Sequence, residues 1–148
     1  GAFRPLLLIR NGNLTEYKST KISIGFNDVV DKHFENNLIK YEKGDNIYMY
    51  SDGYPDQFGG PNNKKFKSRM LKNMLIKASI NNMDKQREIL DNAYLDWKGD
   101  FEQVDDILVA GIKKLSRPCA LTITAILGRI RIAAKKKIAS VGKISTML

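Results

Sequence analysis

A chain of 148 residues with 43% hydrophobic content is long enough to bury a core of its own, which excludes disorder as the default state. Its formal charge of +9 is unevenly placed: 18 Lys/Arg and 16 Asp/Glu fall within residues 1–116, and 7 basic residues without a single acid follow. A lone Cys119 excludes an internal disulfide, and no apolar run approaches the roughly 20 residues that a membrane-spanning helix needs.

In chain order, Pro5 to Arg10 is an apolar, strand-like run, and Asn11-Gly12 is a strong signal for a type I′ hairpin. Asn13 to Lys18 alternates apolar and polar residues, as a half-buried return strand does. Ile22 to Gly25 is short and alternating, and His33 to Tyr41 reads as a further strand closed by the turn Glu42-Lys43-Gly44-Asp45. Asn46 to Ser51 is rich in aromatic and β-branched residues and reads as a buried strand. After the breaker Gly59-Gly60-Pro61-Asn62-Asn63 the period changes. Phe66, Met70, Leu71, Met74, Leu75 and Ala78 share one face at helical spacing. A second helix opens near Asp84, buries Ile89, Leu90, Ala93, Tyr94 and Trp97, and closes at Gly99. Val104 to Ile112 reads as a last strand. Strands, then two consecutive helices, then a strand predict an α+β domain with mostly antiparallel strands.

Three acids stand out. Asp52 follows an apolar strand and precedes Gly53, while Asp105 and Asp106 stand together before the last apolar run. Carboxylates at strand ends need hydrogen bonds, a cation or a metal, and hard oxygen donors of this kind suit Mg²⁺ or Mn²⁺. Local pattern alone favours a plainer reading, in which Asp-Gly is a turn and paired acids face solvent. Asp56 and Gln57 sit one turn beyond Asp52, where Asp56 could stand behind a metal ligand or make a loop hydrogen bond. Lys64, Lys65, Lys67 and Arg69 could draw an anionic substrate, though a solvated helix face accounts for them.

The stretch KGDNIYMYSDGYPDQFGG resembles the segment of SpoIIE-type (PPM, type-2C) serine/threonine protein phosphatases in which a strand ends in Ser/Thr-Asp-Gly. FEQVDDILVAGIKK is similar to their closing Asp-Asp strand, and GAFRPLLLIRNGNLTEY to their Gly-Ala strand and hairpin. Order and spacing agree over residues 1 to about 115, leaving 116–148 as a basic tail. The resemblance implies a PPM-like β-sandwich flanked by helices, and hydrolysis of phosphoserine or phosphothreonine esters at a dinuclear Mn²⁺ or Mg²⁺ centre. By it, Asp52 and Asp105 become metal ligands, and Gly53, Asp56 and Asp106 stand just behind them.

The family's Asp-x-x-Gly-His-Gly segment has no counterpart here, and the lone His33 in DKHFENN reads as an exposed strand-edge residue. The resemblance therefore covers the carboxyl-terminal half of the domain. It implies a partial metal sphere, weak or absent activity of this chain alone, and a sheet whose apolar face and edges invite homo-oligomers. A non-catalytic module that binds a phosphoprotein or another partner is the alternative. The resemblance also implies a phosphorylated signalling protein as partner, an upstream sensor domain and a bacterial setting, and the single Cys119 fits a reducing cytoplasm. For the tail, Ala120 to Ile132 reads as an added strand or a poor helix. It could cover a bare sheet edge or carry no selected role. Binding of anionic membrane or nucleic acid through Arg129, Arg131 and Lys135 to Lys137 is disfavoured, and nucleic acid is the least supported, because no aromatic residue is there to interleave with bases.

Overall fold

The computed structural model describes residues 4–21, 36–114 and 121–127, the last segment and Lys114 by backbone only. Among them, β1 (Leu6–Arg10) and β2 (Asn13–Tyr17) form the expected hairpin. Asn11 and Gly12 take φ of 49° and 78°, the pair of positive values that a type I′ turn requires and that this dipeptide adopts most readily. β1 also pairs antiparallel with β3 (Asn46–Tyr50), which pairs with β6 (Leu108–Lys114), which pairs with β7 (Leu121–Leu127). The resulting five-stranded antiparallel sheet runs β2-β1-β3-β6-β7.

Between β3 and β6 the chain makes the helical layer. A single turn, α1 (Gly53–Asp56), leads into a minimal hairpin of β4 (Phe58–Gly59) and β5 (Lys64–Lys65). α2 (Ser68–Ala78) and α3 (Met83–Lys98) follow. Asn82 caps α3 by accepting from the Lys85 N–H, with Asp84 in the first turn. Gly99 closes it at φ 51°. The α+β class with two consecutive helices is therefore present.

One face of the sheet meets these helices. Leu7, Ile9, Tyr48, Tyr50 and Val109 are buried there against Leu71, Leu75 and Leu90. Full burial of side chains of this size contributes about 1.5–3 kcal/mol each. Phe66, Tyr54, Tyr94 and Trp97 join the core through ring contacts at 5.1–5.3 Å. Polar groups inside are paired: the Tyr48 hydroxyl donates to Gln86 Oε1 at 2.6 Å and the Tyr54 hydroxyl to the Leu90 carbonyl at 2.7 Å. On the other face, register aligns Met49 with Ala110 and Ile47 with Ile112, and Met49 and Leu108 are 49% and 41% exposed. Leu8, on the same face, is buried, so the exposed apolar surface that the resemblance implies is present only in part, at Met49 and Leu108.

Two strand expectations change. Residues 36–41 form no strand: the Lys40 carbonyl accepts from Arg10 Nη2 at 2.7 Å, and Leu38 is almost wholly exposed. A side chain has taken an acceptor that a ladder would need. The last strand begins at Leu108 and runs to Lys114, because the Val104 N–H and Glu102 carbonyl bond to the Gln57 side chain. Ile22 to Gly25, His33, Cys119 and the cations from Arg129 onward lie outside the described residues. Within the tail, β7 matches β6 residue for residue from Leu108↔Leu127 to Lys114↔Leu121. Of the readings given to Ala120–Ile132, the strand is the one realised over the described Leu121–Leu127, which pairs along the β6 edge.

Candidate metal-binding site

The sheet brings the two acidic segments together. β3 and β6 are antiparallel neighbours, so the end of β3 at Tyr50 lies beside the start of β6 at Leu108. Ser51 then stitches the flanks. Its Oγ donates to the Asp106 carbonyl at 2.8 Å and accepts from the Leu108 N–H at 2.9 Å. Its backbone N–H donates to the Leu108 carbonyl at 2.9 Å. One hydroxyl thus continues the ladder where the backbone leaves it.

Gly53 closes the junction. A Cβ built there would stand 2.4 Å from the Asp106 carbonyl oxygen and 3.1 Å from that of Asp105. Only a residue without a side chain lets the turn after Asp52 rest on the Asp105-Asp106 backbone. Glycine is needed here for that close approach. Its φ is not among the positive ones, so turn strain is not the reason.

Asp52 is the N-cap of α1 but makes no side-chain cap bond; its carboxylate pairs with the guanidinium of Arg4. The Asp52 side chain remains 48% exposed and that of Arg4 41%. Asp105 turns Oδ1 onto the Asp106 N–H at 2.7 Å, and Gln103 Nε2 donates to its carbonyl at 2.9 Å. Both bonds fix the Asp105 turn locally. Asp106 is exposed, and its carbonyl is the group that Ser51 holds. Asp56 points elsewhere: it ion-pairs with Lys65 at 3.5 Å, which ties α1 to the β4–β5 hairpin.

The donor chemistry suits a hard divalent cation, since the half-exposed Asp52 and the exposed Asp105 carry carboxylate oxygens on two adjoining turns. Their number falls short of a full coordination sphere. No group of three or more His, Cys, Asp or Glu able to hold a metal forms among the described residues. A cation held here would need its remaining ligands from water, phosphate oxygens or further protein donors.

Gln57, marked in the sequence only by its place one turn beyond Asp52, has a role that sequence reasoning did not assign. It is fully buried and bonds the segment leading into Asp105. The signal for it was faint: an uncharged side chain between Asp56 and Phe58, in a stretch too short for periodicity to speak.

No family model matches the sequence, and no curated protein matches it. Among solved structures, the SiaA-PP2C domain of Pseudomonas aeruginosa is similar, with a TM-score of 0.67 and 25% identity. The match covers 76% of this chain and 44% of that one. The chain has a PP2C-type fold. It spans less than half the length of the solved domain it matches, in accord with a partial PPM-like architecture. Among the described residues no helix is long and apolar enough to cross a membrane.

Proposed function

We propose that this chain provides the carboxyl-terminal metal-binding platform of a SpoIIE-type PPM serine/threonine phosphatase domain. The observation that carries the reading is the junction just described: on a PP2C-type fold, Ser51 and Gly53 pin the Asp52 turn onto the Asp105-Asp106 backbone. Asp52 and Asp105 would hold a Mn²⁺ or Mg²⁺ ion through their carboxylates. Such ions, when bound, orient a phosphate ester and acidify a water molecule for attack on phosphorus.

Arg4 offsets the Asp52 charge until a stronger cation arrives, and an exposed ion pair of this kind is worth only about 0–1 kcal/mol, so displacing it costs little. The Gln103 and Asp106 amide groups hold Asp105 in one turn, which orients its carboxylate. Two carboxylates bind a hard divalent ion weakly. The 148 residues alone therefore have weak or no hydrolytic activity, and the expected partner is a phosphorylated signalling protein.

Mn²⁺ binding to the chain, followed by titration calorimetry, tests the reading. Weak binding that falls about tenfold or more in both Asp52→Asn and Asp105→Asn is expected. Binding indifferent to both substitutions would overturn it. The second reading, a module that binds a phosphoprotein without hydrolysis, draws support from the Arg4–Asp52 pair. It predicts phosphopeptide affinity that persists after chelation of divalent ions.

A further inference from the structure

The amide of Gln57 makes four hydrogen bonds in a fully buried setting. Nε2 donates to the Glu102 carbonyl at 2.8 Å and to the Phe58 carbonyl at 3.0 Å. Oε1 accepts from the Tyr94 hydroxyl at 2.8 Å and from the Val104 N–H at 3.4 Å. A primary amide has two N–H donors and two acceptor lone pairs, so this side chain is saturated. Its backbone carbonyl takes two more bonds, from the Phe66 N–H at 2.9 Å and Trp97 Nε1 at 3.2 Å.

The partners matter more than the count. Residues 102–107 belong to no ladder, so their inward backbone groups need partners that a sheet would otherwise supply. Gln57 supplies one acceptor and one donor to that segment, directly upstream of Asp105. The same residue is the C-cap of α1, whose N-cap is Asp52. A rigid single turn therefore joins one acid to the amide that fixes the approach to the other. Ser51 and Gly53 set the contact on the downstream side, at Asp106 and Leu108. Gln57 sets it upstream, at Glu102 and Val104.

We propose that Gln57 is a positioning residue for the acidic pair: it locks residues 102–104 so that Asp105 stands in fixed register beside the Asp52 turn. This rests on the metal-platform reading for its purpose, though not for its geometry. No other side chain does the whole task. Glutamate cannot donate to Glu102 and Phe58, and methionine, of similar size, can do neither.

Two variants of the 148-residue chain, Gln57→Met and Gln57→Glu, test this by amide hydrogen exchange without metal. Exchange across residues 102–106 is expected to rise at least about tenfold, while residues 71–78 of α2 change less than about twofold. Unchanged exchange at 102–106, or the same rise in both segments, overturns the proposal. Should neither variant fold, Tyr94→Phe leaves Gln57 in place and removes one bond from its Oε1; a rise of about threefold confined to 102–106 is then expected, and none overturns the proposal. Mn²⁺-induced broadening of NMR signals separates this outcome from the parent reading. In the unaltered chain, signals around both Asp52 and Asp105 should broaden; in Gln57→Met, those around Asp105 should need about tenfold more Mn²⁺. Broadening at neither acid in the unaltered chain sinks the metal reading and leaves the exchange result to decide the role of Gln57.

Discussion

The two ends of β3 carry an aspartate each, and the two are treated in opposite ways. Asp45, just before the strand, is fully buried. Arg10 grips it with Nε at 2.8 Å and Nη2 at 2.6 Å, and the Glu42 N–H donates to it at 2.7 Å. The contact is the two-pronged kind that guanidinium and carboxylate planes favour, and it holds the Arg10 pKa above its ordinary value. Asp52, just past the strand, is about half exposed, and its salt bridge is to an Arg4 nearly as exposed. A carboxylate saturated inside the protein is part of the fold. One left at the surface with an exchangeable cation is available to a ligand.

The largest expected effect breaks the first half of that contrast. Asp45→Asn keeps the shape but removes the charge that Arg10 and the turn amide bond to, at a cost of about 2–3 kcal/mol. Urea unfolding should show it as a lower midpoint at unchanged slope. Asp52→Asn, by comparison, should move stability by no more than about 0.5 kcal/mol while weakening Mn²⁺ binding. Equal losses of stability at the two positions would erase the distinction.

Gly53→Ala comes next and probes the ground on which Asp52 stands. The new methyl group meets the Asp106 carbonyl, so either α1 or the 105–106 turn must shift, at about 1–3 kcal/mol. Unlike Asp45→Asn, it should also separate the two acids, so loss of Mn²⁺ binding must accompany the loss of stability. Arg4→Ala should leave stability within about 0.5 kcal/mol and tighten Mn²⁺ binding by up to about fivefold, since the metal no longer displaces an ion pair. Calorimetric titrations of the two variants should move in opposite directions.

How much of this could be read beforehand follows the same division. β1, β2 and both long helices were legible because Asn11-Gly12 dictates its turn and because apolar residues repeat every three to four positions through Leu71, Leu75 and Leu90. Asp52 and Asp105 were found by resemblance to a family; their spacing alone favoured turns and solvent. α1 was not legible, being one turn held by Asp56 N–H to the Asp52 carbonyl at 2.9 Å, too short to show a period. The Val104 boundary failed for a long-range reason: a glutamine 47 residues upstream replaces the ladder there. The missing strand at residues 36–41 is similar, since Arg10, 30 residues upstream of Lys40, takes its carbonyl. Local patterns carry no record of such partners. The tail strand is not legible because its period breaks, and pairing with β6 supplies what period does not.

Asp91 on α3 is the intermediate case between the two ends of β3, and it carries the smallest prediction. Partial burial raises its pKa, and Arg87, at 4.0 Å, offsets this only in part. A carboxyl whose folded pKa lies above its unfolded value opposes folding when ionised, and the opposition is relieved as pH falls through the folded pKa. Asp91→Asn should therefore stabilise the chain at neutral pH. The side chain is 46% exposed, so solvent screening holds the gain to roughly a few tenths of a kcal/mol. The difference in urea midpoint between the two proteins should shrink as pH is lowered through the carboxylate range. A gain that grows on acidification would mean that the Arg87 pair outweighs desolvation. Asp91 would then belong with Asp45, as an acid on which the fold depends.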